Sequence, residues 1–281
     1  MNRETIYNKV NTIILEKLKS GKIPWKNNMM AFLPANYLSR KYYQGINWLL
    51  LNHQDFKSPY YLTYLQTQQK GGAVLRGSEG LPVVFWKIME GSVNEKGEVD
   101  KFPLIRFSTV FNLTQTTLYN SSKEEELKQE RKSAEDILSS IINTHKPVID
   151  YNFRGKGFYR PSTHSICVPP IDQFSNPNSF YDVLFHELIH WTGKDLGRAK
   201  DSKFGDDDYA YEELIAELGA SYLCSLSGIE TEIENQSAYI QNWIKQFQND
   251  NSLIIKASTA AKKAVNYLLL NNLENKESEA A

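Results

Sequence analysis

Cysteine is nearly absent: 281 residues hold two, Cys167 and Cys224, which excludes a disulfide-stapled scaffold and a zinc site built on thiolates. Both sit in apolar settings, Ser-Ile-Cys-Val and Tyr-Leu-Cys-Ser, as buried free thiols do. No stretch approaches the roughly 18 apolar residues of a membrane span, and the opening Met1-Asn2-Arg3-Glu4-Thr5-Ile6 has no apolar leader core. A cytoplasmic protein without a membrane partner is expected. Histidine is scarce, with five residues, and methionine stops at Met89. Net charge is almost absent at -1, but this conceals an asymmetry: residues 1–120 carry 15 Lys/Arg against 8 Asp/Glu, and residues 121–281 carry 17 against 25. The first half, at +7, can approach a polyanion, and the second, at -8, cannot. What remains, 41% hydrophobic, 12% aromatic and 23% charged, is ordinary globular composition at a length for one or two domains.

Ile6, Val10, Ile14 and Leu18 recur at helical spacing, and Gly21 stands where a left-handed cap stops such a helix. Two short helices are expected around Ile46–Leu51 and Tyr61–Gln69. Val83–Trp86 and Leu104–Phe111 are β-rich runs separated by a polar loop, reading as a hairpin. The charge-dense, apolar-poor sequence near Tyr119 to Ser133 reads as a boundary. Beyond it, Ile137 to Ile142 marks a helix, Val148–Tyr151 and Gly157–Val168 mark strands, and everything after Pro169-Pro170 is strongly helical. The fold class is α+β with two domains: a small α+β domain over 1–120, a linker over 121–135, and a mostly helical domain with a short β-sheet over 136–281.

The sharpest pattern is His186-Glu187-Leu188-Ile189-His190, within a helical run from Tyr181 to Trp191. Histidines four apart lie on one helix face, so both imidazoles reach one tetrahedral Zn2+ (or Mn2+ in its place), and the neighbouring Glu187 is placed to take a proton from water as general base. A third ligand is needed. Six residues after His190 stands Leu196 rather than histidine, and no methionine follows Met89, which excludes the metzincin arrangement. The alternative is a glutamate from the helix Tyr209–Ser225, where Glu212, Glu213 and Glu217 compete. Glu213 and Glu217 share a face, and their spacing resembles that of glutamate-type zincins. Glu213 is therefore assigned as ligand, Glu217 as the carboxylate orienting a ligating histidine, and Glu212 as solvent-facing. Asp206-Asp207-Asp208 reads as a solvated loop, because three consecutive residues rarely converge on one ion. Tyr159, His164, Tyr209 and Tyr211 are candidates for stabilising an oxyanion.

In the first half, aromatics alternate with bases and amides. Exposed rings stack on unpaired bases while Lys and Arg track phosphates, so the mixture suits single-stranded DNA, although many of these rings must instead fill a core. The candidate contacts are Trp25, Arg40, Tyr43, Asn47, Tyr64, Arg76, Trp86 and Lys87.

Taken together, Pro24-Trp25, Tyr43-x-Gly45-Ile46-Asn47, Thr63-Tyr64-x-Gln66, Val84-Phe85-Trp86-Lys87, the run His186 to Gly193 and Tyr209-Ala210-x-Glu212-Glu213-Leu214-x-Ala216-Glu217 resemble the ArdC family of antirestriction proteins carried by conjugative plasmids and related mobile elements. The similarity covers nearly the whole chain. It implies an N-terminal single-stranded-DNA-binding domain, a C-terminal zincin-like metallopeptidase domain with an unidentified protein or peptide substrate, and protection of entering DNA from host restriction. Two departures stand out: the family's Arg-Lys-Gly-Glu segment reads Arg76-Gly77-Ser78-Glu79, losing a lysine, and His164 replaces an acidic residue. The rival reading is a non-enzymatic protein that coats single strands and keeps a structural or vestigial metal site.

Overall fold

The structure, a computed structural model, describes residues 3–26, 33–52, 56–93, 99–120, 132–198, 206–229 and 237–270. Helix α1 (Arg3–Lys19) buries the stripe Ile6, Val10, Ile14 and Leu18, and Gly21, at φ 77°, turns the chain after it. Strand β1 (Ala35–Asn36), helix α2 (Gly45–Asn52), strand β2 (Tyr60–Thr63) and helix α3 (Tyr64–Gln69) follow. The long strands β3 (Leu81–Val93) and β4 (Val99–Asn112) form the expected hairpin, in a four-stranded sheet of order β1-β2-β4-β3.

In the second half, α4 (Ala134–His145) starts at a capping box in which Ser133 and Asp136 satisfy each other's backbone N–H groups. The end of the expected linker is therefore already helix, while residues 121–131 lie outside the described residues. Strands β5 (Val148–Asp150), β6 (Phe158–Arg160) and β7 (Ser165–Cys167) make a three-stranded sheet ordered β5-β7-β6. Then come α5 (Pro177–Trp191), α6 (Asp207–Ser227), α7 (Ser237–Asn249) and α8 (Leu253–Leu268). No helix among the described residues is long and apolar enough to cross a membrane.

One local expectation is corrected. The helix over Tyr61–Gln69 begins only at Tyr64, because Tyr61–Thr63 pairs with β4 and Thr63 caps α3 through a capping box with Gln66. The run Gly157–Val168 folds as an antiparallel pair, turning at His164, which takes φ 49°. Cys167 and Cys224 are buried free thiols.

The two halves share one hydrophobic core. Its members run from Ile6, Trp25 and Trp48 through Ile137 and Leu188 to Phe247 and Val265. Trp25 meets Trp243 edge-on at 4.9 Å, and Trp48 meets Tyr222 of α6 at 5.4 Å. Asn11 donates to the Phe247 carbonyl at 2.7 Å.

Candidate metal centre

Helix α5 is set by Asn176, whose side chain accepts from the Asn178 N–H, and by Pro177 in the first turn. Its inner face carries Leu184, Leu188 and Ile189 into the core, leaving His186 and His190 on the face toward α6. The helices approach closely because α6 offers Gly219 there: a Cβ on Gly219 would lie 2.6 Å from Ile189 Cδ1. Two, six and seven residues before that glycine, α6 presents Glu217, Glu213 and Glu212.

The Nε2 atoms of His186 and His190 are 3.0 Å apart, and the Glu213 carboxylate lies 3.5 Å from each. Among the described residues these three form the one His/Cys/Asp/Glu group able to hold a metal ion, with donor atoms within 4.8 Å of one another. Two imidazole nitrogens and a carboxylate oxygen suit zinc or manganese. The geometry therefore brings together the three residues expected as ligands. Asp206, Asp207 and Asp208 are exposed at the start of α6 and do not join them.

Around this triad stands an outer ring. Glu217 lies 3.9 Å from His186 Nδ1. Glu212 lies 3.4 Å from His190 Nδ1 and receives two bonds from the Arg198 guanidinium, at 3.1 and 3.2 Å. Glu212 is thus not solvent-facing as expected; Arg198 holds it inward. Arg198 also donates to the Ile189 carbonyl at 2.8 Å, so one side chain both caps α5 and fixes Glu212. No motif in the sequence pointed to Arg198, which lies in the turn after α5.

Burial alone would lower the His190 pKa, but hydrogen bonds to Glu212 and then Glu213 outweigh it and push it up to about 10. His186 is raised against burial chiefly by its bond to Glu213. Burial would raise the Glu213 carboxyl, yet the two imidazoles hold it well below the usual carboxylate range. Without metal, the carboxylates therefore keep a proton on the imidazole pair. A metal ion competes for those nitrogens. Metal affinity should therefore rise with pH as that proton is displaced. Calorimetric titration with Mn2+ at several pH values checks this, and an affinity that does not rise with pH would contradict it.

Glu187 lines a cleft of about 510 Å³ together with His186, Glu217, Lys26, Lys156, Phe174 and Asp182. It is 7% exposed. Gly157 lets the chain entering β6 lie against it: a Cβ there would meet Val183 Cγ1 at 2.5 Å and Glu187 Cγ at 3.8 Å. Of the oxyanion candidates, the Tyr159 hydroxyl is 2.9 Å from His164 Nδ1, and His164 stacks on Trp191 at 4.8 Å. Burial raises the Tyr159 and Tyr211 pKa values.

The DNA candidates divide by burial. Trp25 is 1% exposed, Tyr43 is buried against Tyr61, and Asn47 is buried with both amide atoms bonded to the Val84 backbone, at 2.8 and 2.7 Å. These three are corrected to structural roles, because a base cannot reach them in this fold. Arg40 is exposed and lies over the Tyr37 and Tyr60 rings at 4.7 and 4.4 Å. Tyr64 is 55% exposed, and Arg76 is exposed. The side chains of Trp86 and Lys87 lie outside the described residues.

Residues 4–135 match the family described as the N-terminal domain of anti-restriction factor ArdC, and residues 136–260 match a zincin-like metallopeptidase family. A crystal structure of the antirestriction ArdC protein from the R388 plasmid, metal-free, superposes with TM-score 0.77 at 30% identity, over 93% of this chain and 96% of that one. Its Mn(II)-bound form gives 0.75 at 26% identity, over 96% and 99%. A DNA primase TraC of Escherichia coli is 31% identical over 91% of this chain, which spans only 26% of the primase's length.

Proposed function

The chain belongs to the ArdC family of antirestriction proteins, and we propose that it is a single-stranded-DNA-binding protein carrying a glutamate-type metallopeptidase centre. His186, His190 and Glu213 hold the metal, Glu187 acts as general base, and Glu217 and Glu212 orient the two imidazoles. The observation that carries this reading is the convergence of those three donors beside Glu187 at a cleft. A divalent ion held by these three residues would supply a Lewis acid that polarises a carbonyl and lowers the pKa of water. The Glu187 carboxylate takes the proton from the attacking water and returns it to the nitrogen of the leaving amine. Carboxylates 3.9 Å from His186 Nδ1 and 3.4 Å from His190 Nδ1 favour a proton on each Nδ1, which would leave the Nε2 atoms as donors to the ion. The test is hydrolysis of an unfolded protein by metal-loaded chain. Cleavage that chelator removes and metal restores supports the reading; no cleavage by loaded chain at any pH overturns the peptidase assignment.

The DNA assignment rests on the +7 first half and on the exposed Arg40, Tyr64 and Arg76. Full-length protein should prefer single strands to duplex, because stacking needs unpaired faces. If about four phosphates are neutralised, log K should fall against log salt with a slope of about -3. Arg76→Ala should reduce that slope by somewhat less than one, whereas Tyr64→Ala should cost about 1–3 kcal/mol with little change in slope. Fluorescence anisotropy over a salt series checks both, and equal affinity for duplex and single strand would contradict the assignment.

A further inference from the structure

The cleft beside Glu187 is not built by the second half alone. Lys26, from the turn after α1, inserts its ammonium into the wall, where it is 3.3 Å from Asp182 Oδ2 and 3.4 Å from Glu217 Oε2. Its side chain is 6% exposed. The residues that place it are themselves fixed: its backbone N–H donates to the Ile23 carbonyl at 3.1 Å, and the preceding Trp25 is wedged against Trp243. The other oxygen of Glu217 faces His186 Nδ1 at 3.9 Å. A continuous line therefore runs from the first half to a metal-site imidazole: Lys26, Glu217, His186. On the opposite side, Arg198, Glu212 and His190 form a matching line, but Arg198 comes from the second half itself.

We propose that Lys26 is a positioning residue of the metal centre, holding Glu217 against His186 so that the site is complete only with the N-terminal half docked on α5 and α6. Asp182 and Glu217 are two carboxylates sharing one cation, and without it like charges would sit together in a half-buried wall and repel each other apart. That movement withdraws the carboxylate that faces His186 Nδ1. The ammonium stays charged, since Glu217 and Asp182 together outweigh the effect of burial on it. A second contact joins the same two halves, Trp48 against Tyr222, five residues beyond Glu217 on α6.

The inference rests on the metal-centre reading above, and its test separates the two. Mn2+ affinity is measured by calorimetry on full-length wild type, Lys26→Met, Lys26→Gln, Lys26→Arg, Glu217→Gln and the Lys26→Met/Glu217→Gln double variant, with near-UV circular dichroism to identify folded proteins. The folded neutral variants should bind about tenfold more weakly, as removal of an outer carboxylate–imidazole contact does. Lys26→Arg, which keeps a cation between the carboxylates, should restore affinity to within about threefold. The double variant should bind no more weakly than Glu217→Gln, because Lys26 acts through Glu217. Loss of a nearby positive charge would by itself tighten binding of a cation, so the sign is decisive. Unchanged or tighter binding by Lys26→Met or Lys26→Gln, or multiplying effects in the double variant, would overturn the proposal while wild-type binding keeps the metal centre. No binding by wild type would remove the metal centre, and this proposal with it.

Discussion

Truncating Trp25 to alanine is expected to destabilise the full chain by about 3–5 kcal/mol, as loss of a fully buried large ring does. At a few degrees per kcal/mol for a chain of this size, Tm should fall by roughly 10 °C. The ring is 1% exposed, stands edge-on to Trp243, and belongs to the core that joins α1 to α7 and α8. The cavity left would open at the seam between the halves, next to the buried Lys26. Thermal unfolding followed by circular dichroism reads the shift. An unchanged Tm with weakened single-strand binding would return Trp25 to the role of an exposed base platform.

The same ring shows where sequence reading reached and where it stopped. Trp25, Tyr43 and Asn47 sit among bases and amides along the chain, and composition could not say which rings face solvent. Burial is set by partners far away, such as Trp243 for Trp25. The metal residues were legible because their spacing is local: His186 and His190 lie one helical turn apart, and Glu213 and Glu217 share a face of the next helix. Glu212 was misplaced because its partner Arg198 is in an irregular turn that carries no periodic signal. Lys26 was invisible for the same reason, being 156 positions from Asp182. One missed boundary did leave a mark: Thr63-x-x-Gln66 is a capping-box pattern, and it dates the start of α3 at Tyr64. The turn within Gly157–Val168 left a mark too, since Pro161-Ser162-Thr163 is a turn signal and His164 is among the residue types that accept a positive φ.

Replacing Glu187 with glutamine is the second large effect expected. Glutamine matches glutamate in shape but cannot accept the proton that the attacking water must lose, so hydrolysis should fall by about 10²- to 10⁴-fold. Metal should be retained, because Glu187 is outside the donor set of His186, His190 and Glu213. Its near-complete burial beside Gly157 makes a shape-conserving change the right one: an alanine would add a void and blur chemistry with packing.

The most direct measurement is therefore the hydrolysis rate of Glu187→Gln and wild-type protein at matched metal occupancy, with bound metal counted by elemental analysis on the same samples. The account predicts about one ion per chain in both and a rate at least about a hundredfold lower in the variant. Equal rates at equal occupancy would contradict it.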